Sequence, residues 1–297
     1  MKKSGLVAII GRPNAGKSTL LNALIGTELS IVTPKAQTTR DNVKGILTQD
    51  GGQIVFIDTP GIHKAAPGGI NEFMVSEAKT ALEAPHVIWY LVDPNSSTQH
   101  EQTVLEHLKG LRAPVLVVFT KSDLKRNIAL FLEKLRTLLI ENGLQLKEVL
   151  EISARNKKGL KILLDKTWEL LPEGPFFYPN EDDLSDRPLR FFVAEKIREQ
   201  LYLQLGDELP YSCAVKIEKF DESSKPVRIE ADIFVERDSQ KGMVVGAGGS
   251  KIKSIGISAR QSIEQLVDAP IFLGLKVKVL KNWTKDKELL KKMGYSV

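Results

Sequence analysis

Eight residues near the start of the chain could hold a polyphosphate. Gly11, Arg12, Pro13, Asn14, Ala15, Gly16, Lys17 and Ser18 follow the spacing G-x-x-x-x-G-K-S, with Thr19 next. Glycines at the two ends let the main chain wrap closely, so that backbone N–H groups and a helix N-terminus face negative charge. Lys17 would reach the β- and γ-phosphates, and the Ser18 hydroxyl would meet Mg²⁺. Further along, Asp58-Thr59-Pro60-Gly61 ends an apolar run, where a carboxylate can hold that metal through water while the Gly61 N–H approaches the terminal phosphate. Thr120-Lys121-Ser122-Asp123 ends another such run. A carboxylate at Asp123 can accept both N1–H and the exocyclic amine of guanine, a donor pair that adenine lacks, and the Lys121 stem can lie along the base. A third run ends at Ser153-Ala154, where a backbone N–H can meet guanine O6.

A second glycine cluster lies near the other end, Gly246-Ala247-Gly248-Gly249, opening a segment that contains Lys251 and Lys253. Its chemistry repeats that of the first loop: close backbone approach, amides and cations directed at phosphate. Lys241, Lys251, Lys253 and Arg260 would supply the charge, because the interior pair, Ala247-Gly248, has none.

Positioning these residues requires particular elements. Leu6 to Ile10, Val87 to Val92 and Val115 to Phe119 are continuous apolar runs of buried-strand length. Val43 to Thr48 and Gln53 to Ile57 flank Asp50-Gly51-Gly52 and predict a hairpin. Phe73 to Leu82, Gln102 to Leu111, Ile128 to Leu139 and Leu160 to Leu171 carry helical spacing. This alternation predicts an α/β domain with a mostly parallel sheet, which binds ligands beyond the carboxyl ends of its strands. Leu29 to Arg40, with Pro34 and Thr38-Thr39, lacks a period and reads as a long mobile loop.

The prolines and acids from Pro172 to Pro188 break that rhythm and predict a connector. The expected division is residues 1–175, a linker at 176–188 and a second domain at 189–297. That domain begins with a helical stripe at Ala194, Ile197, Leu201 and Leu205 and a strand over Ser212 to Phe220. Val227 to Val235 alternates apolar and polar residues, and a later strand contains Leu275, Val277 and Val279.

At 297 residues, 42% hydrophobic and 27% charged, the chain has room for two cores. Charge is uneven: residues 181–238 hold 9 basic and 15 acidic side chains, whereas residues 239–297 hold 11 basic and 4 acidic. A basic C-terminal segment suits a polyanion. The single Cys213 excludes an internal disulfide and reads as a small core residue in a reducing cytoplasm. The apolar stretch after Met1-Lys2-Lys3 is too short for an export signal, and no run is long enough to span a bilayer. The four histidines show no metal-ligand spacing.

Gly11 to Ser18, Thr38-Thr39, Asp58 to Gly61, Thr120 to Asp123 and Ser153-Ala154 resemble, in order, the five guanine-nucleotide signatures of Ras-like GTPases. Gln37-Thr38-Thr39-Arg40 resembles the translation-associated bacterial branch more narrowly. The resemblance implies that a threonine of the mobile loop joins Ser18 and Asp58 around Mg²⁺, with Thr39 chosen over Thr38. The glycine loop and its surroundings resemble a KH type II domain, whose G-x-x-G element clamps unpaired nucleotides.

Two departures stand out. Thr120 replaces the Asn that usually opens the guanine motif, so a slacker site is expected. Ile62 replaces the glutamine that orients water in Ras-type enzymes, so slow basal hydrolysis is expected, carried by Lys17, Thr39, Gly61 and the metal. Lys35, Arg40 and His63 lie near in sequence and read more simply as solvated loop residues. Together the two domains are similar to a bacterial family of GTPases with a C-terminal KH domain. That similarity implies binding near the 3′ end of 16S rRNA, assistance to assembly of the small (30S) ribosomal subunit, a cytoplasmic monomer, and peripheral contact with the inner membrane. The alternative is a nucleotide-dependent RNA-binding scaffold with negligible hydrolysis.

Overall fold

The computed structural model describes residues 2–49, 51–62, 68–124, 128–144, 149–206 and 208–295. Contacts divide them into two units, drawn from residues 1–30, 39–66 and 74–186, and from residues 31–38, 67–73 and 187–297.

The first unit is built on six strands: β1 (Ser4–Gly11), β2 (Val43–Gln49), β3 (Gly52–Asp58), β4 (Val87–Val92), β5 (Val115–Phe119) and β6 (Val149–Glu151). Their order is β2-β3-β1-β4-β5-β6. Only the β2–β3 hairpin pair is antiparallel, and the other pairs are parallel. Every residue of β3 and β4 is buried, which explains why these strands read as unbroken apolar runs rather than alternating ones. The connecting helices are α1 (Lys17–Ile25), α2 (Gly69–Thr80), α3 (Gln102–Leu108), α4 (Ala129–Glu141) and α5 (Leu160–Leu170). Tyr90 and Phe119 of the sheet pack with Leu105, Phe131 and Leu135 of the helices in one buried cluster. β6, the run that ends ahead of Ser153-Ala154, has three residues and is too short for periodicity to give its bounds.

Residues 171–188 carry no helix or strand, but they are held rather than simply solvated. Buried Gln53 donates to the Tyr178 carbonyl (2.8 Å) and accepts from its N–H (3.0 Å), replacing a backbone partner with its own amide. Ile46 N–H donates to the Leu184 carbonyl at 2.9 Å, and Lys44 pairs with Asp186 at 2.7 Å. The connector therefore occupies hydrogen-bonding positions that the edge strand β2 would otherwise leave open.

In the second unit, α6 (Leu189–Gln204) precedes β7 (Ala214–Asp221) and β8 (Val227–Val235), which pair antiparallel. Then come α7 (Asp238–Val245), α8 (Ser250–Val267) and β9 (Ile271–Val279), the last parallel to β8. Ile197 and Leu201 of α6, Ile229 and Ile233 of β8, and Ile255 and Ile263 of α8 share one core. The helix α7 was not foreseen. Its only apolar residues, Met243-Val244-Val245, are consecutive and show no period, and its start is set by Gln240, whose side chain accepts from Arg237 N–H at 3.1 Å. Cys213 is buried and immediately precedes β7. Among the described residues of the tail, Lys287–Lys292 is helical (α9); Trp283 and Leu290 are buried, and Trp283 stacks on Tyr295. Among the described residues no helix is long and apolar enough to cross a membrane.

Candidate functional site

The carboxyl ends of β1, β3, β5 and β6 carry the predicted nucleotide residues, as a parallel sheet requires. Between β1 and α1 the chain turns through Asn14 (φ 61°) and Gly16 (φ 95°), both left-handed, so that α1 starts directly behind the loop. Arg12 O accepts from Ala15 N–H at 3.2 Å. Lys17 is buried and its ammonium lies on two loop carbonyls, Gly11 O at 3.2 Å and Arg12 O at 2.9 Å. Burial pushes the Lys17 ammonium down to about 8, while the carboxylates of Asp58 and Glu101 pull it back up.

Three oxygens converge beside this loop. Ser18 Oγ donates to Asp58 Oδ2 at 2.7 Å and lies 3.0 Å from Thr39 Oγ1. Asp58 is completely buried, its second oxygen Oδ1 has no hydrogen-bond partner, and burial raises its pKa. A buried carboxylate oxygen without a donor, next to two hydroxyls, fits a hard divalent cation such as Mg²⁺. Of the two candidate threonines, the structure brings Thr39 to this cluster. The Thr38 hydroxyl is engaged by Thr33 (2.7 Å) and the Lys35 carbonyl (2.8 Å). Past Thr39, Asn42 fastens the loop to α2, donating to the Glu77 carbonyl at 2.8 Å.

Gly61 packs against the phosphate loop so closely that a Cβ there would sit 2.6 Å from the Pro13 backbone. Thr59 is buried and donates to Ile9 O at 2.8 Å, fixing the turn that includes Pro60. Ile62 N–H donates to Gly11 O at 3.1 Å, and its side chain belongs to the core. His63 lies outside the described residues.

A cleft of ≈ 140 Å³ is lined by Gly16, Thr19, Thr120, Lys121, Asp123, Leu124, Ala154 and Arg155. Asp123 accepts from Ser153 Oγ at 2.7 Å, and this bond chiefly holds its pKa below the usual carboxylate range. Ser122 N–H donates to Ile152 O at 3.0 Å, tying the two base-side loops together. Lys121, with a left-handed backbone (φ 57°), pairs with Asp93 at 2.7 Å. Thr120 alters the expectation of slackness: its hydroxyl donates to Ala15 O at 2.8 Å, so it still joins the base-binding loop to the phosphate loop. Sequence reasoning missed Leu124 and Arg155 on the cleft wall and Asp93 behind Lys121. Only adjacency to a motif could have indicated the first two, and nothing local marked Asp93.

In the second unit, Gly246, Ala247, Gly248 and Gly249 form the turn between α7 and α8. Gly246 has φ 74°, and a Cβ there would meet Lys251 N at 2.9 Å, so only glycine lets the loop fold back on the helix start. Gly248 and Gly249 are also left-handed, and Ala247 and Gly248 are exposed at the tip. Lys251 and Lys253 occupy the first turn of α8, and Lys241 lies exposed on α7. Arg260, farther along α8, is 4.0 Å from Glu264.

Comparison with known proteins agrees with this geometry. A family model described as 50S ribosome-binding GTPase matches residues 6–121, and one described as KH domain matches residues 208–284. GTPase Era of Geobacter sp. (strain M21) is 44% identical over 295 residues, spanning 99% of this chain and 98% of the relative. GTPase Era of Pseudomonas aeruginosa is 42% identical over 293 residues, spanning 99% and 95%. An Aquifex aeolicus Era variant solved with GDP and AlF4⁻ superimposes with a TM-score of 0.92 at 36% identity, covering 99% of this chain and 100% of that one. Era in complex with MgGDPNP and nucleotides 1506–1542 of 16S ribosomal RNA gives 0.92 and 36%, covering 100% of both. With this identity maintained along nearly the whole length, the chain belongs to the GTPase Era family and is a GTPase with a C-terminal KH domain.

Proposed function

We propose that the chain is a GTP-gated switch that binds 16S rRNA near its 3′ end and assists assembly of the 30S subunit. The observation that carries the gate is the convergence of Ser18, Thr39 and Asp58. Thr39 belongs to a segment without helix or strand, so one metal-site oxygen is supplied by chain that is free of any ladder. In this reading Ser18, Thr39 and Asp58 hold Mg²⁺, which supplies charge stabilisation at the β- and γ-phosphate oxygens. Lys17 neutralises the same oxygens, and the Gly61 N–H faces the terminal phosphate. Hydrolysis removes what Thr39 and Gly61 sense and releases their loops.

Asp123 selects guanine through its paired acceptors, Lys121 covers the base, and the Ser153-Ala154 backbone meets O6. Ile62 contributes no side-chain contact to water, being in the core. Positioning and electrostatics then give slow basal turnover that a bound partner accelerates. Gly246 to Gly249 with Lys241, Lys251 and Lys253 clamp the RNA backbone. The complex of Era with MgGDPNP and 16S rRNA nucleotides supports this assignment, and the basic 239–297 segment suits it electrostatically. The protein acts in the cytoplasm as a monomer. Contact with an anionic inner-membrane surface would be electrostatic, through Lys285, Lys287, Lys291 and Lys292, since Trp283 and Leu290 are buried.

The test is phosphate release from GTP with and without purified 30S subunits, alongside competition of GDP and ADP for the site. Guanine-selective binding with turnover stimulated by 30S subunits is expected. Equal competition by ADP, or no release even with subunits present, overturns the reading.

A further inference from the structure

One buried carboxylate near the nucleotide site belongs to none of the signatures above. Glu101 directly precedes α3 and is 1% exposed. Its Oε2 accepts from the Tyr90 hydroxyl at 2.6 Å, and Tyr90 is fully buried in β4. Its Oε1 faces the Arg12 guanidinium, 3.7 Å from Nη1, with Ser96 Oγ at 3.5 Å. Arg12 is the second residue of the phosphate loop, and its own carbonyl is the nearer of the two on which the Lys17 ammonium lies.

A carboxylate this deep is costly, and an apolar side chain of similar volume would serve packing at least as well. Holding a cation of the phosphate loop is a reason for its presence that packing alone does not supply. Tyr90 fixes the carboxylate, the carboxylate draws Arg12 to the α3 side, and the Arg12 backbone sets the height of the carbonyl under Lys17. We propose that Glu101 is a positioning residue of the GTPase site, acting through Arg12 on the phosphate loop, with Tyr90 as the brace that orients it. The proposal rests on the assignment of this loop to the polyphosphate. Nothing in it requires Glu101 or the Arg12 side chain to touch nucleotide.

The test is a double-mutant cycle in the full chain with Glu101→Gln, Arg12→Gln and the pair. Fluorescent GDP and GDPNP affinities, GTP KM and kcat, and thermal unfolding would all be read. Each single variant should weaken GDPNP binding and raise KM roughly tenfold, the scale of a lost charge-assisted contact, with the double variant no weaker than either single. Arg12→Lys, which keeps the charge, should recover most of the affinity. Additive single effects, or an unchanged KM with a lowered melting temperature, would overturn the inference and leave Glu101 a packing residue. Should Glu101→Gln not fold, Tyr90→Phe replaces it; a threefold or so rise in KM with circular dichroism intact is expected for loss of one hydroxyl bond, and none overturns the proposal. Wild-type chain is the control: if it binds no guanine nucleotide, the assignment of the loop fails as well; if it binds and the variants bind equally, the positioning role alone fails.

Discussion

Replacing Thr120 by valine tests how the two halves of the nucleotide site are joined. Thr120 is 4% exposed and its hydroxyl donates to Ala15 O at 2.8 Å, a side-chain link between the guanine motif and the phosphate loop. Valine keeps the shape and removes the donor. Loss of one buried hydrogen bond costs about 1 kcal/mol, and leaving the acceptor without that donor brings the total to about 1–3 kcal/mol. A guanine nucleotide must touch both loops at once, so a loosened joint reappears as weaker binding. If about half of a 3 kcal/mol loss reappears there, GDP affinity falls about tenfold. Thr120→Ser separates hydroxyl from volume: it keeps the donor and loses one methyl, which costs about 1 kcal/mol of stability with affinity near wild type. Titration with fluorescent GDP and thermal melts of the three proteins supply the readouts. Wild-type affinity in the valine variant, or a serine variant that binds worse than valine, would refute the bridge.

Three further outcomes follow from the same geometry. Gly61→Ala places a Cβ 2.6 Å from the Pro13 backbone, which cannot yield as a side-chain tip would; steady-state GTP turnover should fall at least about tenfold while GDP affinity is retained, and unimpaired turnover would contradict the assigned closeness. Lys17, lowered by burial to about 8, is already charged at pH 7 and must take up a proton on binding phosphate at higher pH. Affinity for GDP should therefore be flat below the shifted value and fall by about fourfold between pH 7 and 8.5, read by equilibrium titration, with a flat profile throughout counting against it. At Gly248 a side chain would meet nothing within 4 Å and the backbone is left-handed (φ 56°), which aspartate tolerates. Gly248→Asp should leave the fold intact by circular dichroism yet weaken binding of a 16S rRNA fragment by about tenfold or more through charge at the clamp; unchanged RNA affinity would remove the loop from the interface.

What was legible in the sequence follows from how local each feature is. Gly11 to Ser18 and Gly246 to Gly249 impose their backbone through residue type at fixed spacing, so the place of the first between strand and helix, and of the second at the start of a helix, could be read directly. Val87–Val92, Val115–Phe119 and Val227–Val235 end where their apolar patterns end. The Thr120–Ala15 and Glu101–Arg12 contacts join residues 105 and 89 positions apart. No pattern within a window announces such pairs; only the parallel sheet brings its strand ends together and makes them neighbours. The connector's partners are hidden for a similar reason, because Gln53 and the edge of β2, which hold it, lie more than a hundred residues away in the chain. The choice of Thr39 over Thr38 rested on resemblance; the contacts that separate the two, one hydroxyl at Ser18 and the other at Thr33 and Lys35, are again tertiary and carry no local signature.

The central claim is that the nucleotide governs RNA binding, and it is tested most directly by one affinity measured twice. Binding of an RNA fragment from the 3′ end of 16S rRNA should be titrated with the chain saturated with Mg²⁺ and GDPNP, and again with Mg²⁺ and GDP, at one fixed salt concentration. The account predicts at least about tenfold tighter binding in the triphosphate form, the size of a typical coupling free energy. Equal affinity in the two states would contradict it and leave two independent binding domains on one chain.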